Sequence, residues 1–78
     1  MTLIQYINEL TFNGTLDKLY MAGIVPYHYI MYRDIYNMRD ALLRQGYKKT
    51  ESVYTLSVQF GLDYSTIYRA LKEMNKEI

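Results

Sequence analysis

The sequence predicts an all-α protein, a small bundle of about five helices with a helix-turn-helix at its C-terminal end. Three observations carry that prediction. Apolar residues recur at spacings of three and four, and strand-like alternation is nowhere sustained. Gly14, Gly23, Gly46 and Gly61 punctuate the apolar segments, each where a helix has to stop. Two short amphipathic patterns between Val53 and Leu71 flank a break at Gly61-Leu62-Asp63. The chain has 78 residues, which makes one domain near the lower size limit for folding alone. Within it, residues 1–45 form a helical support and residues 50–76 the helix-turn-helix.

Taken in order, Thr2 with Gln5 has the form of a capping box, and Leu3, Ile7 and Leu10 follow at helical spacing. That predicts a first helix over Leu3–Leu10. Asn13-Gly14 is a turn signal. Thr15 is suited to cap a second short helix carrying Leu16, Leu19 and Tyr20, which Gly23 ends. Pro26 fits the first turn of a third helix, because its missing N–H has no partner to lose there.

The third helix, Tyr27–Gln45, is the longest. Met31, Ile35, Met38 and Leu42 make one apolar stripe, and Tyr29, Tyr32, Tyr36 and Leu43 make another beside it. Such a wide face needs partners on two sides: the short helices on one, the helix-turn-helix on the other. Gly46 ends this helix and Tyr47-Lys48-Lys49 connects it onward. Thr50 is placed to cap a fourth helix from Glu51 to Phe60. The fifth runs from Tyr64 to Lys76, with Ile67, Leu71, Met74 and Ile78 facing inward.

Within Val53–Leu71 each residue type has a physical reason. Val53, Leu56 and Phe60 face the second helix, and Ser57 is small enough for close approach of two steeply crossing backbones. Gly61 tolerates the positive φ of the turn, and Asp63 can accept N–H bonds as N-cap of the second helix. The segment L-S-V-Q-F-G-L-D-Y-S-T-I-Y-R resembles the helix-turn-helix of the lac repressor family nearly position by position, departing at Ser57, where that family prefers Ala. The region from Tyr32 to Leu71 also resembles Mor-type and Trp-repressor-like regulators of bacteria and phages, through Gly46, Glu51, Phe60, Gly61, Thr66, Ile67 and Arg69. Together these resemblances imply a sequence-specific DNA-binding protein, a homodimeric transcriptional regulator of bacterial, phage or mobile-element origin.

In a helix-turn-helix the second helix enters the major groove and the first crosses the backbone. The lac-repressor-like resemblance therefore places Tyr64, Ser65 and Arg69 at base-reading positions, and Tyr68 projects from the same face. Arg69 can take guanine bidentately through O6 and N7, a contact of about 1–3 kcal/mol in discrimination. Lys48, Lys49, Thr50, Thr66 and Lys72 are the candidates for phosphate contact, which positions without reading sequence. Against this stand plainer readings: Arg69 pairing with Glu73 one turn on, Lys72 and Lys76 simply solvated, and exposed tyrosines serving a protein interface.

Net charge is only +1, so no global field draws in a polyanion. The distribution leans instead. Residues 1–43 balance at −1, whereas residues 44–78 carry Arg44, Lys48, Lys49, Arg69, Lys72 and Lys76 against four carboxylates, a balance of +2.

The absence of cysteine excludes disulfides and thiolate zinc sites. The first residues lack the basic and apolar regions of a signal peptide, and no apolar run spans a membrane, so a cytoplasmic protein is expected. No nucleophile–base pair, Gly-rich phosphate loop or paired carboxylates point to an enzyme, and neither a cofactor nor a small-molecule ligand is indicated. His28, the single histidine, reads as structural, without a second metal ligand at useful spacing. The ten tyrosines support the main rival reading, a protein–protein interaction module that does not bind DNA. A structured-RNA binder is the third.

Overall fold

The first turn is fastened at both ends of a reciprocal pair. In the computed structural model, which describes residues 1–78, the Thr2 hydroxyl accepts the Gln5 N–H at 3.4 Å and the Gln5 side chain accepts the Thr2 N–H at 2.8 Å. This is the expected capping box, and it opens α1 (Leu3–Phe12). The helix runs past Leu10 to Phe12 because nothing breaks it before Asn13-Gly14.

Three caps differ from expectation, each for a local reason. Thr15 does not cap α2 (Thr15–Met21); it is the first helical residue, and the Asn13 side chain accepts its N–H at 3.0 Å. Pro26 stands just outside α3 (Tyr27–Arg44) in extended backbone, with its carbonyl accepting the Tyr29 N–H at 3.2 Å. Thr50 lies inside the first turn of α4 (Lys49–Phe60), which starts two residues earlier than its side chain suggested. Lys48 is the cap residue, and the Glu51 carboxylate accepts its N–H at 2.9 Å. Asp63, by contrast, caps α5 (Tyr64–Met74) as expected, accepting the Thr66 N–H at 2.9 Å.

Two apolar clusters hold the bundle. One gathers Ile35 of α3, Val53 and Leu56 of α4, and Ile67, Ala70 and Leu71 of α5, with Met31, Met38, Leu42, Phe60 and Leu62 packed around them. The other gathers Ile4 and Ile7 of α1, Leu16 of α2 and Met74 of α5, edged by Tyr29, Ile30, Tyr32 and Tyr36 of α3. Tyr32 and Tyr36 touch both, so α3 is the shared wall that its double stripe required. A polar seam reinforces its contact with α1: the Asn8 and Asn37 side-chain amides exchange hydrogen bonds of 3.3 and 3.0 Å. The Arg33 guanidinium also donates to the Thr11 hydroxyl at 3.2 Å.

Ile78 is the inward residue that the sequence misplaced. Because α5 stops at Met74, Ile78 never continues its inner face and is 57 % exposed. The segment after α5 instead lies against the start of α1. Leu3 donates its N–H to the Lys76 carbonyl at 2.8 Å, and Ile78 donates to the Met1 carbonyl at 3.0 Å.

The α4–α5 turn is latched by more than size. Gly61 has φ +67°, the left-handed region, and the Leu62 N–H reaches back to the Ser57 carbonyl at 3.2 Å. The Ser57 hydroxyl then donates to the Leu62 carbonyl at 2.6 Å. Serine supplies a bond across the turn that alanine cannot make. No helix is long and apolar enough to cross a membrane.

Candidate nucleic-acid interface

The exposed side of α5 follows from which residues its core face consumes. Ile67, Ala70, Leu71 and Met74 are buried, so Tyr64, Ser65, Tyr68, Arg69 and Lys72 are left outside, with Lys76 exposed just past the helix end. The half-buried Thr66 sits in the first turn, under the cap. Its hydroxyl and N–H hold the Asp63 carboxyl below the usual carboxylate range against an opposing desolvation, and the Ser65 hydroxyl and the Arg69 charge add lesser contributions in the same direction. An ionised cap thus anchors the start of the helix whose outer face is in question.

That face does not end at the helix edge. An open cleft of about 520 Å³ runs between α5, the start of α4 and the middle of α3, with Val53 and Leu71 among its lining. Its polar lining is Arg39 from α3, Lys49 from the first turn of α4, Tyr68 and Lys72 from α5, and Asn75 and Lys76 from the segment just after it. No carboxylate lines it.

The structure therefore brings Lys49, Tyr68 and Lys72 together, out of the residues that the sequence singled out. Tyr64, Ser65 and Arg69 stand exposed on α5 but outside the cleft, Arg69 being one residue and about 100° around the helix from Tyr68. Lys48 and Thr50 flank Lys49 in the chain and are exposed, yet do not line the cleft.

The ionic pairing of α5 also differs from the plainer reading. Glu73 accepts Lys76 at 3.0 Å and leaves Arg69 without an ionic partner. The other side-chain ion pairs are local to α3: Arg33 with Asp34 at 3.0 Å and Arg44 with Asp40 at 2.8 Å. Arg39, Lys48, Lys49, Arg69 and Lys72 consequently have no carboxylate within ion-pair distance. Three of these free cations, Arg39, Lys49 and Lys72, share the cleft of a molecule whose net charge is only +1.

Arg39, Asn75 and Lys76 are cleft residues missing from the candidates chosen by motif. Arg39 was legible in principle. It lies four residues after Ile35, so once Ile35 is known to face α4 and α5, Arg39 must stand one turn further along that face. Its guanidinium carbon lies 4.9 Å from the centre of the Tyr36 ring, in the range of a cation–π contact.

The tyrosines divide cleanly. Tyr29, Tyr32 and Tyr36 are half-buried against the core, whereas Tyr6, Tyr20, Tyr27, Tyr47, Tyr54, Tyr64 and Tyr68 are exposed. His28 is exposed beside Tyr29 and Tyr32, at ring separations of 4.3 and 5.4 Å. No group of three His, Cys, Asp or Glu side chains gathers at metal-binding distance. The largest exposed apolar side chains lie far along the chain from α5: Phe12 at 94 %, Met21 at 85 % and Ile24 at 68 %. No protein-family model, curated protein or solved structure matches the chain.

Proposed function

We propose that the protein binds double-stranded DNA through α5, as a small regulator that places this helix in the major groove. The observation that carries the reading is the convergence of unpaired Lys49 and Lys72 with Tyr68 in a cleft free of carboxylates, along the open face of α5. Phosphates are neutralised by placed cations rather than by net charge, so a near-neutral chain suffices when its free cations share one side. Lys49 begins α4, where unsatisfied N–H groups and the positive end of the helix dipole add to its own charge. Tyr64, Ser65, Tyr68 and Arg69 are then the side chains free to meet base edges, and Lys48, Thr50 and Thr66 sit at the turns nearest the backbone.

A module of this size buries about 600–1,000 Å² on DNA, too little for tight specific binding by one copy. A homodimer on two half-sites about one helical turn apart supplies the rest. The exposed Phe12, Met21 and Ile24 favour pairing through α1, α2 and the loop that follows them. The same three side chains support the second reading, a protein-interaction module that leaves DNA alone.

Fluorescence anisotropy with a labelled mixed-sequence duplex separates the two. DNA docking through α5 requires binding that weakens steeply between 50 and about 200 mM salt and weakens again in Arg69→Ala. Absence of binding even at the lower salt would overturn the proposal in favour of a protein partner.

A further inference from the structure

We infer that the cleft between α3, α4 and α5 is the seat of a single backbone phosphate of the bound duplex, with Arg39 of α3 as its principal ligand. The inference rests on the DNA-binding reading and extends the footprint to a third helix outside the helix-turn-helix.

Arg39 is the cleft residue that the fold has prepared most. Its guanidinium lies by the Tyr36 ring at 4.9 Å, and Tyr36 is itself packed against both core clusters, so the charge is held rather than swinging in solvent. Its Nε is buried without any hydrogen-bond partner. No carboxylate pairs with it, although Asp40 is its neighbour in the chain, because Asp40 is taken by Arg44 at 2.8 Å. A guanidinium whose Nε is shielded from water and which has no counter-charge gains more from an anion than a fully solvated one does.

The ligands around it fit a phosphodiester. Lys49 and Lys72 reach the cleft from the other two helices, also unpaired, and Asn75 adds an amide that can donate. Lys76 is occupied by Glu73 at 3.0 Å and takes a lesser part. The planar fork of Arg39 matches two phosphate oxygens at once, whereas the two lysines act as point charges.

The placement also orients the duplex. A phosphate in the cleft sets the sugar–phosphate strand beside Lys49 and Lys72, which leaves Tyr68 at the groove edge and turns Arg69, about 100° further around α5, toward the groove floor.

The test compares salt dependence of duplex binding in wild type, Arg39→Gln, Arg39→Lys and Lys18→Gln, the last on exposed α2 outside the cleft. Thermal melts confirm that each variant is folded at the assay temperature. A lost phosphate contact in Arg39→Gln reduces the slope of log K against log salt by about 0.9 and weakens binding about tenfold at low salt. Arg39→Lys keeps the slope and loses affinity by a smaller factor, and Lys18→Gln matches wild type. Duplex binding by wild type with an unchanged slope in folded Arg39→Gln would refute the phosphate seat while leaving the DNA reading intact. No binding by wild type removes both.

Discussion

Met74 is completely buried, and its position makes it the best single probe of how the molecule coheres. It belongs to α5 by sequence, but packs with Ile4, Ile7 and Leu16 of the two N-terminal helices. Met74→Ala removes most of a side chain whose burial contributes about 1.5–3 kcal/mol by transfer alone. Adding the cavity left among three branched neighbours brings the expected loss to roughly 2–5 kcal/mol. A chain of this length has roughly 4–12 kcal/mol in total, so the variant loses a large fraction of its stability. A loss of about 3 kcal/mol corresponds to a fall in Tm on the order of 12–24 °C.

The matched control is Met21→Ala, the same chemistry at a side chain 85 % exposed, for which a change within about 0.5 kcal/mol is expected. Urea titration followed by helical circular dichroism and by tyrosine fluorescence checks both the size and the cooperativity. Three of the ten tyrosines, Tyr29, Tyr32 and Tyr36, edge the Met74 cluster, so the fluorescence gives a tertiary probe to set beside the helical signal. Coincident transitions with a much lowered midpoint are expected. If Met74→Ala and Met21→Ala shift the midpoint equally, or if the two probes separate already in wild type, the α1–α2 pair is not docked on α5 as described.

The turn and the cap carry three further predictions. Ser57→Ala leaves the Leu62 carbonyl without its 2.6 Å partner, and urea denaturation should show a loss of about 1 kcal/mol, partly offset by the better helix propensity of alanine. A stability gain would mean that only the size of Ser57 matters. Gly61→Ala forces a side chain into φ +67°; the Cβ meets no atom within 4 Å, so the cost is purely backbone strain, about 1–2 kcal/mol by thermal melting. Asp63 has a folded-state pKa below its unfolded value, so its contribution is present above the unfolded pKa and is lost as pH falls through the folded one. Asp63→Asn should therefore flatten the stability profile below about pH 4; an unchanged acid limb would show that the cap is not ionised.

Most of the fold was legible because helices announce themselves locally. The spacing of Met31, Ile35, Met38 and Leu42, and the glycines that follow the first four helices, depend on near neighbours in the chain. The misplaced features share the opposite property. Thr15 and Thr50 are cap candidates by residue type, but both helices start earlier, with Asn13 accepting the Thr15 N–H and Glu51 the Lys48 N–H, and residue type alone does not rank such alternative starts. Ile78 failed because a helical period was extended past the point where the chain turns to meet Met1. At the candidate interface, Tyr68 is legible from the motif, and Lys49 and Lys72 as basic residues flanking it. Arg39 is not, because its spacing from Ile35 gives only its face of α3, and that this face meets α4 and α5 is a long-range fact.

The measurement that bears most directly on DNA docking through α5 is a titration of the isotopically labelled protein with a short duplex, followed by amide chemical shifts. Shifts confined to Tyr64–Lys76, the start of α4 around Lys48–Thr50, and the Arg39 turn of α3 are the expected result. Shifts centred on Phe12, Met21 and Ile24 with α5 silent, or no shifts at millimolar duplex in low salt, would contradict it.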